Sequence, residues 1–140
     1  MEISIKQDCA GVDWMAVREI LKRAGMAYHE PDMHRRAFEA SHTVVFVYQA
    51  DRLIGFGRAI SDGVYQAALY DFAVLPEFQA KGIGSAILQT VMSGIPHCNA
   101  ILYASPGKEG FYQKHGFRMM RTGMARFIKS EAMRERGFTE

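Results

Sequence analysis

The sequence predicts an α+β domain: a mixed, mostly antiparallel central sheet with helices on both faces and one parallel β-α-β step. Three stretches carry this expectation. Thr43 to Tyr48, Leu53 to Ile60 and Val64 to Val74 are runs rich in β-branched and aromatic residues separated by short turns, the pattern of an antiparallel meander. Tyr70 to Leu88, reading YDFAVLPEFQAKGIGSAIL, passes from strand to helix: Pro76 cannot donate to a ladder, and Ile83, Ala86, Ile87, Thr90 and Val91 then share one helical face. Ala100 to Ala104 is a further apolar run after the break at Gly94-Ile95-Pro96. A strand, a helix and a strand thus follow one another, and the two strands should run parallel.

The other elements fill in around these. Ile3 and Ile5 flank Ser4 in a short first strand, and Asp13 is a good N-cap for a helix with the stripe Trp14, Val17, Ile20, Leu21 and Ala24, ended by Gly25. Pro31 opens a second short helix that reaches Ala40. Ala50-Asp51 and Ser61-Asp62-Gly63 are turns, and Gly55 and Gly57 lie on one face of the strand between them. A short helix is expected from Lys108 to His115 with Gly116 as its cap. Phe117 to Met120 and Met124 to Ile128 read as a closing pair of strands, and residues 129–140 as a charged helix that frays.

Composition narrows the function classes. At 140 residues and 15.8 kDa, residues 1–140 suit a single domain. A net charge of +2, with arginine and lysine spread among acids, lacks the dense basic stripe of a nucleic-acid binder. Cys9 and Cys98 are far apart and belong to no metal-ligand spacing, so no metal is expected. No apolar run approaches the ~18 residues of a membrane span, and Glu2 stands where a targeting segment would be basic. The expectation is a cytoplasmic protein with reduced thiols and no membrane partner.

The strand, the glycine-containing turn and the helix start around Gln79-Ala80-Lys81-Gly82-Ile83-Gly84-Ser85 together suit an anion, since the first amides of a helix have no intrahelical partner. Gly82 and Gly84 are equally compatible with simple relief of strain in a tight turn. Two nucleotide motifs fail on spacing. A Walker loop needs Gly-Lys-Ser/Thr, whereas Lys81 precedes Gly82 and Ile83 follows it. A dinucleotide fingerprint needs a small residue where Ile87 stands.

The pattern that remains, Gln-x-x-Gly-x-Gly after a strand, together with Phe111-Tyr112-Gln113-Lys114-His115-Gly116-Phe117, resembles the GCN5-related N-acetyltransferase (GNAT) superfamily over nearly the whole chain. The resemblance implies that acetyl-CoA is the cosubstrate. Its pyrophosphate would lie on Gln79, Ala80, Lys81, Gly82, Ile83, Gly84 and Ser85, and its pantetheine arm on the edge formed by Phe72, Ala73 and Val74. Lys81 and Lys108 either add attraction to the ribose phosphate or are plain surface lysines. Many relatives hold the arm with an asparagine, but the corresponding loop here reads Ser105-Pro106-Gly107-Lys108-Glu109.

Acetyl transfer to an amine needs a neutral nitrogen, a donor to the developing oxyanion and a proton for the departing thiolate. The resemblance makes Tyr112 the thiolate's proton donor, against a packing role beside Phe111 and Phe117, and leaves the oxyanion to the Val74 amide. Asp71 interrupts an apolar strand, where a carboxylate needs a reason. It is the candidate base or water relay, with anchoring of a substrate ammonium and pairing with an arginine such as Arg58 as alternatives. Relatives with an acid here include small arylalkylamine and serotonin acetyltransferases. Tyr28 and His29, with Met26 and Trp14, belong to the variable region that lines the acceptor side, whereas His115 suits a helix C-terminus and His97 a loop.

These readings converge on direct transfer of an acetyl group to the amine of a small molecule. The alternatives are a non-catalytic acyl-CoA sensor or interaction module and an enzyme acting on protein lysines or N-termini. Met119, Met120 and Met124 beside the closing strands suit either a homodimer contact or a core.

Overall fold

A computed structural model describes residues 1–140, which form two compact units, Met1–Leu102 and Tyr103–Glu140. The first unit holds β1 (Ser4–Lys6), α1 (Trp14–Arg23), α2 (Pro31–Glu39), β2 (Thr43–Gln49), β3 (Arg52–Ser61), β4 (Gln66–Val74), α3 (Ile83–Ser93) and β5 (Asn99–Ile101). Its sheet runs in the order β1-β2-β3-β4-β5, antiparallel throughout except for the parallel β4–β5 pair. The mixed α+β sheet with one parallel step is therefore as the sequence predicts.

Local chemistry accounts for the boundaries. Asp13 Oδ1 accepts the amides of Met15 and Ala16 at 3.0 and 3.2 Å, so α1 starts where its cap stands. Pro31 occupies the first turn of α2, where its missing amide costs nothing. Asp62 Oδ1 collects the amides of Val64, Tyr65 and Gln66 and so folds the turn from β3 into β4. Those three bonds hold its carboxyl below the usual range.

The side-chain alternation of β3 gives the sheet two different faces. Phe56 points toward α1 and α2, in a buried cluster where the Phe38 ring lies 5.7 Å from Phe56 and 5.4 Å from Phe46. Trp14 joins this cluster 5.9 Å from Phe46, so the indole serves packing. Gly57 faces the other way, and a Cβ there would stand 2.9 Å from Ile87 Cγ2 of α3. The missing side chain lets α3 lie directly against the sheet, next to the end of β4. No helix is long and apolar enough to cross a membrane.

The second unit contains α4 (Glu109–Gln113) and α5 (Ser130–Glu135), with Tyr103 packed edge-on against Phe127 and Phe138 at 5.3 and 5.9 Å. The predicted closing strands are absent: neither Phe117 to Met120 nor Met124 to Ile128 is a strand. Strand propensity expresses packing on a half-buried pleated surface, and these residues bury little. Met124 and Ile128 are 97% and 101% exposed, so the methionines are not core residues either. The fifth strand is also shorter than predicted, ending at Ile101 instead of Ala104.

Candidate active site

The site begins as a pairing irregularity. Phe56 pairs with Ala73 but Arg58 pairs with Tyr70, so Asp71 and Phe72 together oppose Gly57, forming a β-bulge in β4. Asp71 takes up the extra residue in a left-handed conformation, φ 58°, which aspartate tolerates better than most residues. Its Oδ2 accepts Arg58 Nε at 2.7 Å, with side chains only 24% and 14% exposed. Arg58 Nη1 donates to Ser41 Oγ at 3.2 Å, and its guanidinium lies 5.5 Å from the Phe38 ring centre and 5.4 Å from that of Tyr70. The sequence alternative of an arginine pair for Asp71 is thus realised in the structure.

His34, which no sequence motif singles out, belongs to the same neighbourhood. It is buried, and its Nε2 accepts the His29 amide at 2.9 Å, so the ring proton sits on Nδ1. Burial pushes its pKa down, with Asp71 opposing and His29, Arg58 and Arg18 adding to the shift. A single histidine on an amphipathic helix carries no sequence signal that separates it from a surface residue. The His29 ring lies 5.5 Å from it between centres, tilted by 45°, and the His29 carbonyl accepts Arg18 Nε at 3.1 Å. Tyr28 lies on the surface under the cations of Arg18 and Lys22, at 5.2 and 5.7 Å. Both predicted acceptor residues are therefore on the exposed link between α1 and α2, with His29 tied to the Asp71 neighbourhood through His34.

Beyond the bulge, β4 runs past its parallel neighbour. β5 pairs with it only at Gln66, Ala67 and Ala68, while β4 continues to Val74. The amide of Leu75 donates to Ile54 of β3 at 2.9 Å, and successive strand amides alternate in direction, so the Val74 amide points to the edge away from β3. Gln79 Nε2 donates to the Val74 carbonyl at 3.0 Å, which ties the following turn back to this strand end.

The turn leads from a 3-10 segment, Pro76–Phe78, to Ala80 at φ 61° and Gly82 at φ 84°, both left-handed, and then into α3. Gly82 is the N-cap, no side chain caps the helix, and the first intrahelical bond runs from the Ala86 amide to the Gly82 carbonyl. The amides before Ala86 and the positive end of the helix dipole are what an anion uses. A Cβ on Gly82 would meet nothing within 4 Å, so the space beside the turn is open. Lys81 is exposed at its side. The donor set fits a pyrophosphate: backbone amides, open space beside Gly82 and no carboxylate in the turn.

Tyr112 lies on α4 in the second unit, half-buried, with its ring 5.0 Å from Phe111 and 5.9 Å from Phe117. Burial raises the phenol's pKa, so it is protonated at neutral pH. The helix closes as predicted, with Gly116 at φ 91° and the Phe117 amide on the Tyr112 carbonyl at 3.1 Å.

Residues 6–130 match the family profile described as Acetyltransferase (GNAT) domain. The chain belongs to the GNAT family. Among curated GNAT relatives, the rice (Oryza sativa subsp. japonica) chloroplastic serotonin N-acetyltransferase 2 is 32% identical over 83% of this chain and 62% of its own length. An uncharacterized N-acetyltransferase ycf52-like protein of Prochlorococcus marinus is 30% identical over 77% of this chain and 64% of its own. The chain thus spans somewhat under two thirds of these relatives. Among solved GNAT folds, a probable acetyltransferase from Staphylococcus aureus superposes with TM-score 0.80 at 24% identity, covering 91% of this chain and 99% of that one. Arabidopsis thaliana Naa50 in complex with the bisubstrate analogue CoA-Ac-MVNAL gives 0.69 at 19% identity, covering 86% and 85%.

Proposed function

We propose that this GNAT domain transfers an acetyl group from acetyl-CoA directly to the amine of a small molecule. One observation carries the reading: β4 passes β5 with the Val74 amide turned outward and runs into the turn at Gly82 that heads α3. Acetyl-CoA supplies the activated acetyl group as a thioester. The chain's own residues supply the rest. Amides from Ile83 onward and the dipole of α3 hold the pyrophosphate, and the edge from Phe72 to Val74 pairs with the amide-bearing arm as an added strand would. The outward Val74 amide stabilises negative charge on the carbonyl oxygen.

Asp71 receives the proton of the amine, directly or through a water. Arg58 Nε on Oδ2 fixes the orientation of the carboxylate. His34 is excluded as the base, because its only acceptor nitrogen is already engaged by the His29 amide. Tyr112 donates to the departing thiolate. Neither Cys9 nor Cys98 lies in the Phe72 to Ser85 stretch or beside Tyr112, which favours direct transfer over an acetyl-enzyme. The relationship to a serotonin N-acetyltransferase and the aromatic surroundings of Arg58 favour small amines as acceptors.

Thiol release from acetyl-CoA in the presence of arylalkylamines, aliphatic polyamines and N-terminal peptides tests the reading. Turnover highest with small amines supports it; turnover with peptides alone moves the acceptor to proteins, and tight coenzyme A binding without turnover makes the domain a sensor. Exposed Met119, Met120 and Met124 favour contact with a second copy over a core role, which light scattering reads as a dimer mass.

A further inference from the structure

The turn that enters α3 is held from one side by a carboxylate that nothing in the proposed chemistry uses. Glu77 sits in the 3-10 segment between the end of β4 and Gln79. Its Oε1 lies 2.8 Å from Arg23 Nη2, at the last residue of α1, and its Oε2 lies 3.0 Å from Arg52 Nη2, at the first residue of β3. Arg23 Nη1 adds a second bond to Oε2 at 3.3 Å. The Arg52 guanidinium also lies 5.4 Å from the ring centre of Phe78, the buried residue that follows Glu77. One side chain therefore fixes the segment to two separate elements, and its own backbone amide together with Arg23 and Arg52 holds the carboxyl down at about 2.

What lies downstream gives this clamp a task. Ala80 and Gly82 both stand in left-handed conformations on an exposed turn, and the Gln79 side chain ties that turn to Val74. The direction in which the amides at the start of α3 are presented depends on where Gln79 begins, and Glu77 is two residues upstream. Arg23 of α1 grips the carboxylate through both oxygens and Arg52 of β3 adds a third contact, a geometry that resists rotation better than a single lysine contact.

We propose that Glu77, gripped by Arg23 and Arg52, is a positioning residue that presets the 79–82 turn for coenzyme A. This rests on the reading of that turn as the pyrophosphate site. Isolated surface pairs contribute little, so the expected effect on affinity is a network effect, roughly three- to tenfold.

The test is calorimetric titration of coenzyme A into the wild-type chain, Glu77→Gln, Arg52→Met and Arg52→Lys, with steady-state kinetics and amide hydrogen exchange on the same proteins. Glu77→Gln is expected to raise Kd and the KM for acetyl-CoA together while kcat at saturation stays put, with faster exchange confined to the turn. Arg52→Lys should recover most of what Arg52→Met loses. Unchanged affinity in Glu77→Gln overturns the clamp, as does a uniform rise in exchange across the sheet. If the wild type binds no coenzyme A, the pyrophosphate reading fails instead, and the clamp is then judged on exchange alone: protection of 79–82 that is the same with and without Glu77 overturns it.

Discussion

Arg58 Nε and Asp71 Oδ2 meet at 2.7 Å across a bulge that exists because one residue too many stands opposite Gly57. The extra residue is the acid itself, turned into a left-handed conformation and met by a guanidinium packed between two rings. Replacing Asp71 by Asn keeps the shape and removes the charge. Acetyl transfer should then fall by about 10²-fold or more, the range of a lost general base or proton acceptor. Coenzyme A affinity by calorimetry should be unchanged. Arg58→Met leaves a half-buried carboxylate without its charge-assisted bond and should cost about 1.5–3 kcal/mol of stability in denaturant titrations.

Gly82 separates backbone from chemistry. At φ 84° a Cβ is strained even though open space surrounds it, so Gly82→Ala should cost about 1–2 kcal/mol on unfolding while keeping measurable cofactor binding. Gly82→Trp fills that space and should abolish coenzyme A binding in the same titration. Retained affinity in the tryptophan variant would remove the pyrophosphate from this turn.

Tyr112 is expected to act on turnover alone. Tyr112→Phe keeps the ring contacts with Phe111 and Phe117 and removes only the hydroxyl. kcat should drop by about 10²-fold or more, with little change in the Kd for coenzyme A. An unchanged kcat assigns Tyr112 to packing.

His34 sets a pH dependence of stability. Its folded pKa lies below the ordinary ~6.5 because burial disfavours the imidazolium, so between the two values the unfolded chain binds more protons than the folded one. Stability is fully present above about 6.5 and is lost as pH falls toward the folded value, with a slope of at most about 1.4 kcal/mol per pH unit. Thermal unfolding followed from about pH 5 to 7 should show the midpoint rising with pH, and His34→Gln should flatten that rise.

The sequence made the site legible where one residue type had one reason to be there. Pro76 stands where the strand stops and Gly82 where the helix begins, and of the alternatives open for the acid at 71 the structure shows the pair with Arg58. What it did not reveal depends on partners distant in the chain. The bulge at Asp71 is a property of the register between β3 and β4, and the clamp on Glu77 joins residues 54 and 25 positions away. His34 becomes notable only because α2 folds it under the His29 amide. The closing strands failed for a related reason: Met124 and Ile128 carry strand propensity, but with both side chains exposed nothing rewards the extended conformation.

Direct transfer to an amine is tested most directly by mixing the protein with acetyl-CoA, first alone and then with the small-amine panel, and weighing both protein and products by mass spectrometry. The expected result is an unchanged protein mass in either mixture and an acetylated amine only when acceptor is present. A protein heavier by one acetyl group before any amine is added, or no acetylated amine from the whole panel, would contradict it.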